Sequence, residues 1–156
     1  MKKIKFIWVG KLKKPFFQEA CAHYRDALRR GHGLEEMLVK DAPARLAVAE
    51  KCAWEGKKIL ERLGPGDIAV VLDERGDALS SVELSGRLKN WIEDPAGLPC
   101  FILGGAWGLS REVLERADFS LSLGPMTFPH ELARLILLEQ LYRAASILRG
   151  TPYHHG

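Results

Sequence analysis

Cysteine is scarce in this sequence: Cys21, Cys52 and Cys100 are its only three. They are odd in number, widely spaced and form no C-x-x-C pair. That pattern argues against a disulfide framework and against a zinc site, and reads as three reduced, partly buried thiols. No apolar run approaches the ~18 residues of a membrane-crossing helix. The start, MKKIKFIWVGKLKK, is basic, but its apolar run extends only from Phe6 to Val9. A secretory signal needs a longer core, so a cytoplasmic location is expected. The familiar phosphate cradles are also missing. FILGGAWG (101–108) sets glycines after an apolar run, yet no Lys-Ser or Lys-Thr follows, as a P-loop requires. Leu103 stands where the first glycine of a dinucleotide fingerprint belongs. A ligand at this turn is therefore not expected to be held by a pyrophosphate. Internal repeats, low-complexity stretches and long linkers are absent too, so residues 1–156 are read as one domain with a core of its own.

What the chain does contain is an ordinary globular balance, 47% hydrophobic and 28% charged. Its net charge of +3 is unevenly spread. Residues 1–30 carry nine Lys or Arg against Glu19 and Asp26, a net of +7, whereas the remainder carries 14 basic and 18 acidic residues, a net of −4. Such asymmetry points to a polyanionic partner, most often nucleic acid, or else to a basic face that is merely solvated.

Short apolar runs alternate with helical patterns. Strands are expected at Ile4–Val9, weakly at Met37–Val39, at Ile68–Leu72, Cys100–Leu103 and Phe119–Leu123. Helices are expected from Pro15 to about Arg30, Ala44 to Leu63, Ser80 to Asp94, Ser110 to Ala117 and Pro129 to Arg149. Pro15 suits a first helical turn, and Gly150 a helix end. Ser80 with Glu83 has the capping-box spacing. IAVVL (68–72) reads as a strand buried on both faces, and DERGD after it as a charged turn. The fold class is α/β, with a mainly parallel sheet and helices on both faces. Ligands of such sheets bind beyond the C-terminal strand ends. Three successive ends stand out: Leu72-Asp73, Gly104-Gly105 and Leu123 to Phe128.

In the last helix, a stripe through 132, 135/136, 139 and 142/143 would include Glu139 and Arg143, while Leu137, Leu138, Leu141 and Ile147 lie elsewhere on the wheel. A helix apolar over more than one face is central to a core or shared with a partner. In so small a chain the second is favoured, giving a homodimer.

FILGGAWGLS and MTFPHELARLILLEQLYRAASILRGTPYHHG closely resemble the RlmH-type methyltransferases, the smallest members of the SPOUT class of RNA methyltransferases. The most specific pieces are L-G-G-x-x-G-L-S, T-F-P-H, E-Q-L-Y-R-A and the closing P-Y-H, and the resemblance covers essentially the whole chain. It implies a C-terminal trefoil knot and an obligate homodimer. It further implies methylation of N3 of a pseudouridine in large-subunit (23S) ribosomal RNA, on assembled ribosomes, with S-adenosylmethionine becoming S-adenosylhomocysteine and no metal. Donor-binding residues carried over are Leu72, Gly104, Gly105, Leu123, Gly124, Pro125, Met126, Thr127 and Phe128. Gly124-Pro125 lies where family members vary. Glycine at 104 and 105 is expected to let the main chain close on the donor.

Methyl transfer from a sulfonium is an in-line displacement, and the N3 proton of the acceptor must leave. His130, Arg143, Tyr153 and His154 are the catalytic candidates. On one helix, His130 and Arg143 lie ~20 Å apart, so a site composed from two subunits is expected. Each has a plainer alternative: His130 as a helix cap, Arg143 as a partner of Glu139 four residues back, and the tail as a frayed end. Trp107 either stacks on a base or packs over the glycine turn. Lys11, Lys13 and Lys14 are expected to grip RNA phosphates. Rival expectations are a different acceptor, such as a ribose 2′-hydroxyl or another base, or a ribosome-binding protein without catalysis.

Overall fold

The computed structural model describes residues 2–156. Ten elements alternate: β1 (Lys3–Val9), α1 (Pro15–Arg29), β2 (Gly33–Val39), α2 (Val48–Arg62), β3 (Asp67–Ala78), α3 (Ser81–Glu93), β4 (Leu98–Leu103), α4 (Arg111–Arg116), β5 (Phe119–Ser122) and α5 (His130–Arg149). The strands form one sheet in the order β2-β1-β4-β3-β5, every neighbouring pair parallel. Helices cover both faces, as the near-continuous burial along β1 and β4 requires. Ile4, Phe6 and Trp8 of β1 join Val70, Phe101 and Leu121 in a core beneath α1, α3 and α5. Ile7, Val9, Val71 and Ile102 face the other way, against Ile59 of α2 and Val113 of α4. Aromatic rings bind the first core: Phe6 stacks on Trp8 at 4.8 Å, and Trp91 meets Phe101 edge-on at 5.8 Å.

Local signals place several boundaries. Ser80 Oγ accepts from Glu83 N and Glu83 Oε1 accepts from Ser80 N, the reciprocal capping box. Ser110 Oγ accepts from Val113 N to open α4, and Gly150, at φ +71, closes α5.

Four expectations are corrected. Strand β2 begins at Gly33 instead of Met37, because parallel pairing with β1 runs in register from Lys3↔Gly33 to Val9↔Val39. Helix α2 begins at Val48 instead of Ala44; residues 44–46 form a turn in which Leu46 N donates to Pro43 O. DERGD is not a simple turn. Strand β3 continues to Ala78, and both Leu72 and Asp77 pair with Leu121, so 73–76 bulge out of the ladder. Gly76 makes this possible, since a Cβ there would lie 2.5 Å from the Ser120 carbonyl oxygen.

The fourth concerns α5, which buries an ordinary stripe within its own chain: Arg134, Leu137, Leu138, Leu141, Ala144 and Ala145. It packs against both α1 and α3. The stripe through 132, 135/136, 139 and 142/143 is the outer, half-buried face.

Candidate active site

The bulge of β3 and the ends of β4 and β5 surround one cleft of about 410 Å³. Its walls are Leu72 to Arg75 from β3, Leu103 to Leu109 around the glycine turn, and Leu123, Gly124, Met126, Thr127 and Phe128 after β5. His130 and Ala133 of α5 complete it. The three segments singled out from the sequence therefore meet, with Leu72-Asp73 at the β3 bulge instead of at the end of that strand. Pro125 lies exposed in the third loop and contributes no wall.

The glycine turn is shaped by the protein itself. Gly105 and Gly108 form an isolated antiparallel bridge, and Gly108 adopts φ +76, a conformation that favours glycine. A Cβ on Gly104 would come within 3.0 Å of the Gly108 carbonyl, and one on Gly105 within 3.1 Å of Val9 Cγ1. The immediate neighbours of such a Cβ are thus atoms of the turn and of β1, and both glycines also line the cleft. Trp107 does not lie over the turn as a buried plug. It is 45% exposed at the cleft wall, with Lys51 Nζ 4.7 Å from its ring centroid.

The third loop is fastened to the β3 bulge. Ser122 Oγ donates to Glu74 O at 3.0 Å and accepts from Gly124 N at 3.0 Å; Thr127 Oγ1 donates to Glu74 Oε2 at 3.4 Å. Gly124, at φ +120, permits the sharp exit from β5. The bulge also brings Asp73, Glu74 and Arg75 to the cleft. Asp73 belongs to a strand end already marked by the sequence, whereas Glu74 and Arg75 carry no signal there beyond their position soon after a buried strand.

Arg143, Tyr153 and His154 lie outside the cleft and form a second cluster. Arg143 Nε donates to Glu139 Oε1 at 3.0 Å, and Arg143 Nη1 lies 3.1 Å from His154 Nδ1. Tyr153 OH donates to Glu139 Oε1 at 3.2 Å, and the Arg143 guanidinium lies 4.8 Å from the Tyr153 ring centroid. The tail is folded back rather than frayed: Thr151 donates from N and Oγ1 to Ser146 O, and Tyr153 packs edge-on against Tyr142 at 4.6 Å. Burial, then Tyr24 and Glu139, push the Tyr153 hydroxyl well above its ordinary value, so it stays a proton donor. The Glu139 hydrogen bond likewise raises Arg143 and keeps it cationic. Glu139 is the member missed as a site residue; its i,i+4 spacing to Arg143 had marked it only as a surface partner.

Lys11, Lys13 and Lys14 are exposed in the loop between β1 and α1. Among the described residues no group of three or more His, Cys, Asp or Glu is placed to hold a metal, and no helix is long and apolar enough to cross a membrane. All three cysteines are free thiols; Cys21 and Cys100 are buried.

A family model described as "Predicted SPOUT methyltransferase" matches residues 1–154. The chain is 56% identical over 155 residues to the ribosomal RNA large subunit methyltransferase H of Maridesulfovibrio salexigens, covering 99% of each. It is 52% identical over 155 residues to the protein of that name from Solidesulfovibrio magneticus, covering 99% of this chain and 100% of the relative. Among solved structures, a probable methyltransferase from Bordetella pertussis Tohama I shares the fold at a TM-score of 0.57 and 21% identity, with 92% and 94% of the two chains covered. With the family model matched over nearly every residue and relatives this similar along their whole length, the chain belongs to the SPOUT methyltransferase family.

Proposed function

We propose that this protein transfers a methyl group from S-adenosylmethionine to N3 of a pseudouridine in large-subunit (23S) ribosomal RNA, acting in the cytoplasm as a homodimer on assembled ribosomes. What carries this is the convergence of three loops, including T-F-P-H, on one cleft in a chain so similar to large-subunit ribosomal RNA methyltransferases.

The cleft suits the donor. Its size falls within the ~300–1,000 Å³ of small-molecule sites. Leu72, Leu103, Leu123 and Phe128 offer apolar walls for a flat base, and the loop backbone offers amides and carbonyls. Asp73 and Glu74 outnumber Arg75, a balance that favours a cationic sulfonium over a polyphosphate. When bound, the donor supplies an electrophilic methyl group. The chain's task is then to align the acceptor, exclude water and stabilise charge as the N3 proton departs. His130 stands at the cleft wall for that work. Arg143, kept cationic, is suited to an anionic acceptor, and Tyr153 and His154 flank it.

Within one chain, thirteen residues of helix, ~20 Å, separate His130 from Arg143. A partner's Arg143 cluster facing each donor cleft brings them together. The half-buried outer face of α5, with Leu132, Leu135, Ile136 and Tyr142, is the surface we assign to that dimer. The trefoil knot belongs to the same proposal: β4 lies inside β3 and β5 outside it, so the chain crosses β3 between them.

The test combines calorimetric titration of donor with analysis of methylated nucleosides from treated ribosomes. Thr127→Trp fills the cleft mouth from an exposed position and leaves the glycine turn untouched. Donor binding by the native protein, its loss in this variant and the appearance of N3-methylpseudouridine are expected. A ribose-methylated product would reassign the acceptor, and ribosome association without donor binding would replace catalysis with binding.

A further inference from the structure

The loop from Gly10 to Lys14 carries three exposed lysines, yet its backbone is tied down along its length. Gly10 N donates to Val39 O at 2.8 Å. Arg134, buried in α5 with its guanidinium 4.9 Å from the Trp8 ring centroid, donates from Nη2 to Gly10 O at 2.7 Å. Gln18 Nε2 donates to Leu12 O at 2.8 Å. Lys13 N and Lys14 N both donate to Glu131 Oε1, at 2.5 and 3.2 Å.

Glu131 has few other reasons to be where it is. It is 9% exposed, and it reaches across 118 residues of sequence to the amides just before α1. Helix α1 has no side-chain cap of its own at Lys14, and this carboxylate lies beside its positive end, on the two amides that precede the first turn. Burial favours the neutral form, but the two amides, His130 and Arg134 outweigh it and hold the carboxyl below its ordinary value. Glu131 and Arg134 share one turn of α5, and the residue before Glu131 is His130 of the donor cleft. One helical turn therefore holds the basic loop and presents a side chain to the cleft.

We propose that Glu131 is a positioning residue for substrate RNA: it fixes the Lys11–Lys14 loop beside the donor cleft, so that the lysines meet phosphates as an ordered set. The proposal rests on the RNA-methylating function inferred above. A loop already ordered loses little conformational freedom on binding, whereas a released loop must be ordered at that moment. The charges are the same in both cases; their arrangement differs.

The test measures binding to purified ribosomes against salt concentration for the native protein, Glu131→Ala, Glu131→Gln, Gln18→Ala, and a variant with Lys11, Lys13 and Lys14 all changed to Ala. Each lost phosphate contact flattens the log–log slope by ~0.7–0.9. Glu131→Ala is expected to weaken binding several-fold and flatten the slope, with donor affinity unchanged. Glu131→Gln, which keeps an oxygen for both amides, restores most of it. Gln18→Ala, at an exposed position, shifts the slope less in the same direction, and provides a reading if Glu131→Ala folds poorly. A flattened slope in the lysine variant with native slopes in both Glu131→Ala and Gln18→Ala overturns the positioning role and leaves the RNA function standing. An unchanged slope in the lysine variant removes the loop as an RNA contact, and this inference with it. Equal loss of donor affinity in Glu131→Ala and Glu131→Gln marks a general structural role and also overturns it.

Discussion

Glu55 is a carboxylate held at a disadvantage. It is 2% exposed; Oε2 accepts from Ala42 N at 2.9 Å, while Oε1 has no protein partner. Burial foremost, with Asp41 adding to it, raises its pKa above the ordinary 4.5. The unfolded chain therefore releases this proton at lower pH than the folded one, and the contribution to stability declines as pH rises above about 4.5. Glu131 behaves oppositely: its lowered carboxyl contributes fully above the unfolded pKa and is lost as pH falls through the folded one. Denaturant unfolding from about pH 2 to 8 checks both. Glu55→Gln is expected to remove a decline on the alkaline side, and Glu131→Gln to remove a loss on the acid side. Gly76 poses a steric question instead. A Cβ 2.5 Å from the Ser120 carbonyl oxygen must push β5 from the bulge, so Gly76→Ala is expected to lower stability by ~1–3 kcal/mol, visible as a lower denaturant midpoint.

Helix α5 is the element on which most depends. Its inner stripe fills the core between α1 and α3, and Leu141 at its centre is fully buried. Leu141→Ala is expected to cost ~2–5 kcal/mol, the usual range for a buried leucine, measured by equilibrium unfolding. Ser80→Ala tests a smaller element-level effect, a cap loss of ~1 kcal/mol. The caps at Ser80 and Ser110 were legible in the sequence because capping depends on residues three apart. The start of β2 was not. GLEE has little strand character alone, and only the facing backbone of β1 orders it. The inner stripe of α5 was hidden for a related reason: Arg134 reads as polar, but the Val9 and Gly10 carbonyls and the Trp8 ring accept its buried guanidinium.

For the whole molecule, the separation between His130 and the Arg143 cluster is the decisive feature. If active sites are composite, a mixed dimer of one Thr127→Trp chain and one Arg143→Ala chain retains about half the native activity, since one complete site survives. If each chain carries its own site, that dimer is inactive. Arg143→Ala homodimers are expected to lose ~100-fold or more in methyl transfer while binding donor normally, the scale of removing one charge-stabilising donor. Single-turnover transfer and donor titration separate the two effects.

From sequence alone followed the α/β class, the parallel sheet with two covered faces, the three strand ends and the family resemblance. Each is carried by hydrophobic period, local turn chemistry or short motifs, which act over a few residues. Tertiary structure alone decided the rest. The β3 bulge brings Glu74 and Arg75 to the cleft beside Asp73, the turn's own backbone crowds Gly104, Glu131 holds a loop 118 residues away, and the Arg143 cluster sits apart from the cleft. These arise where distant segments compete for the same space or the same hydrogen bond, and that competition is settled only when the sheet has closed around its two cores.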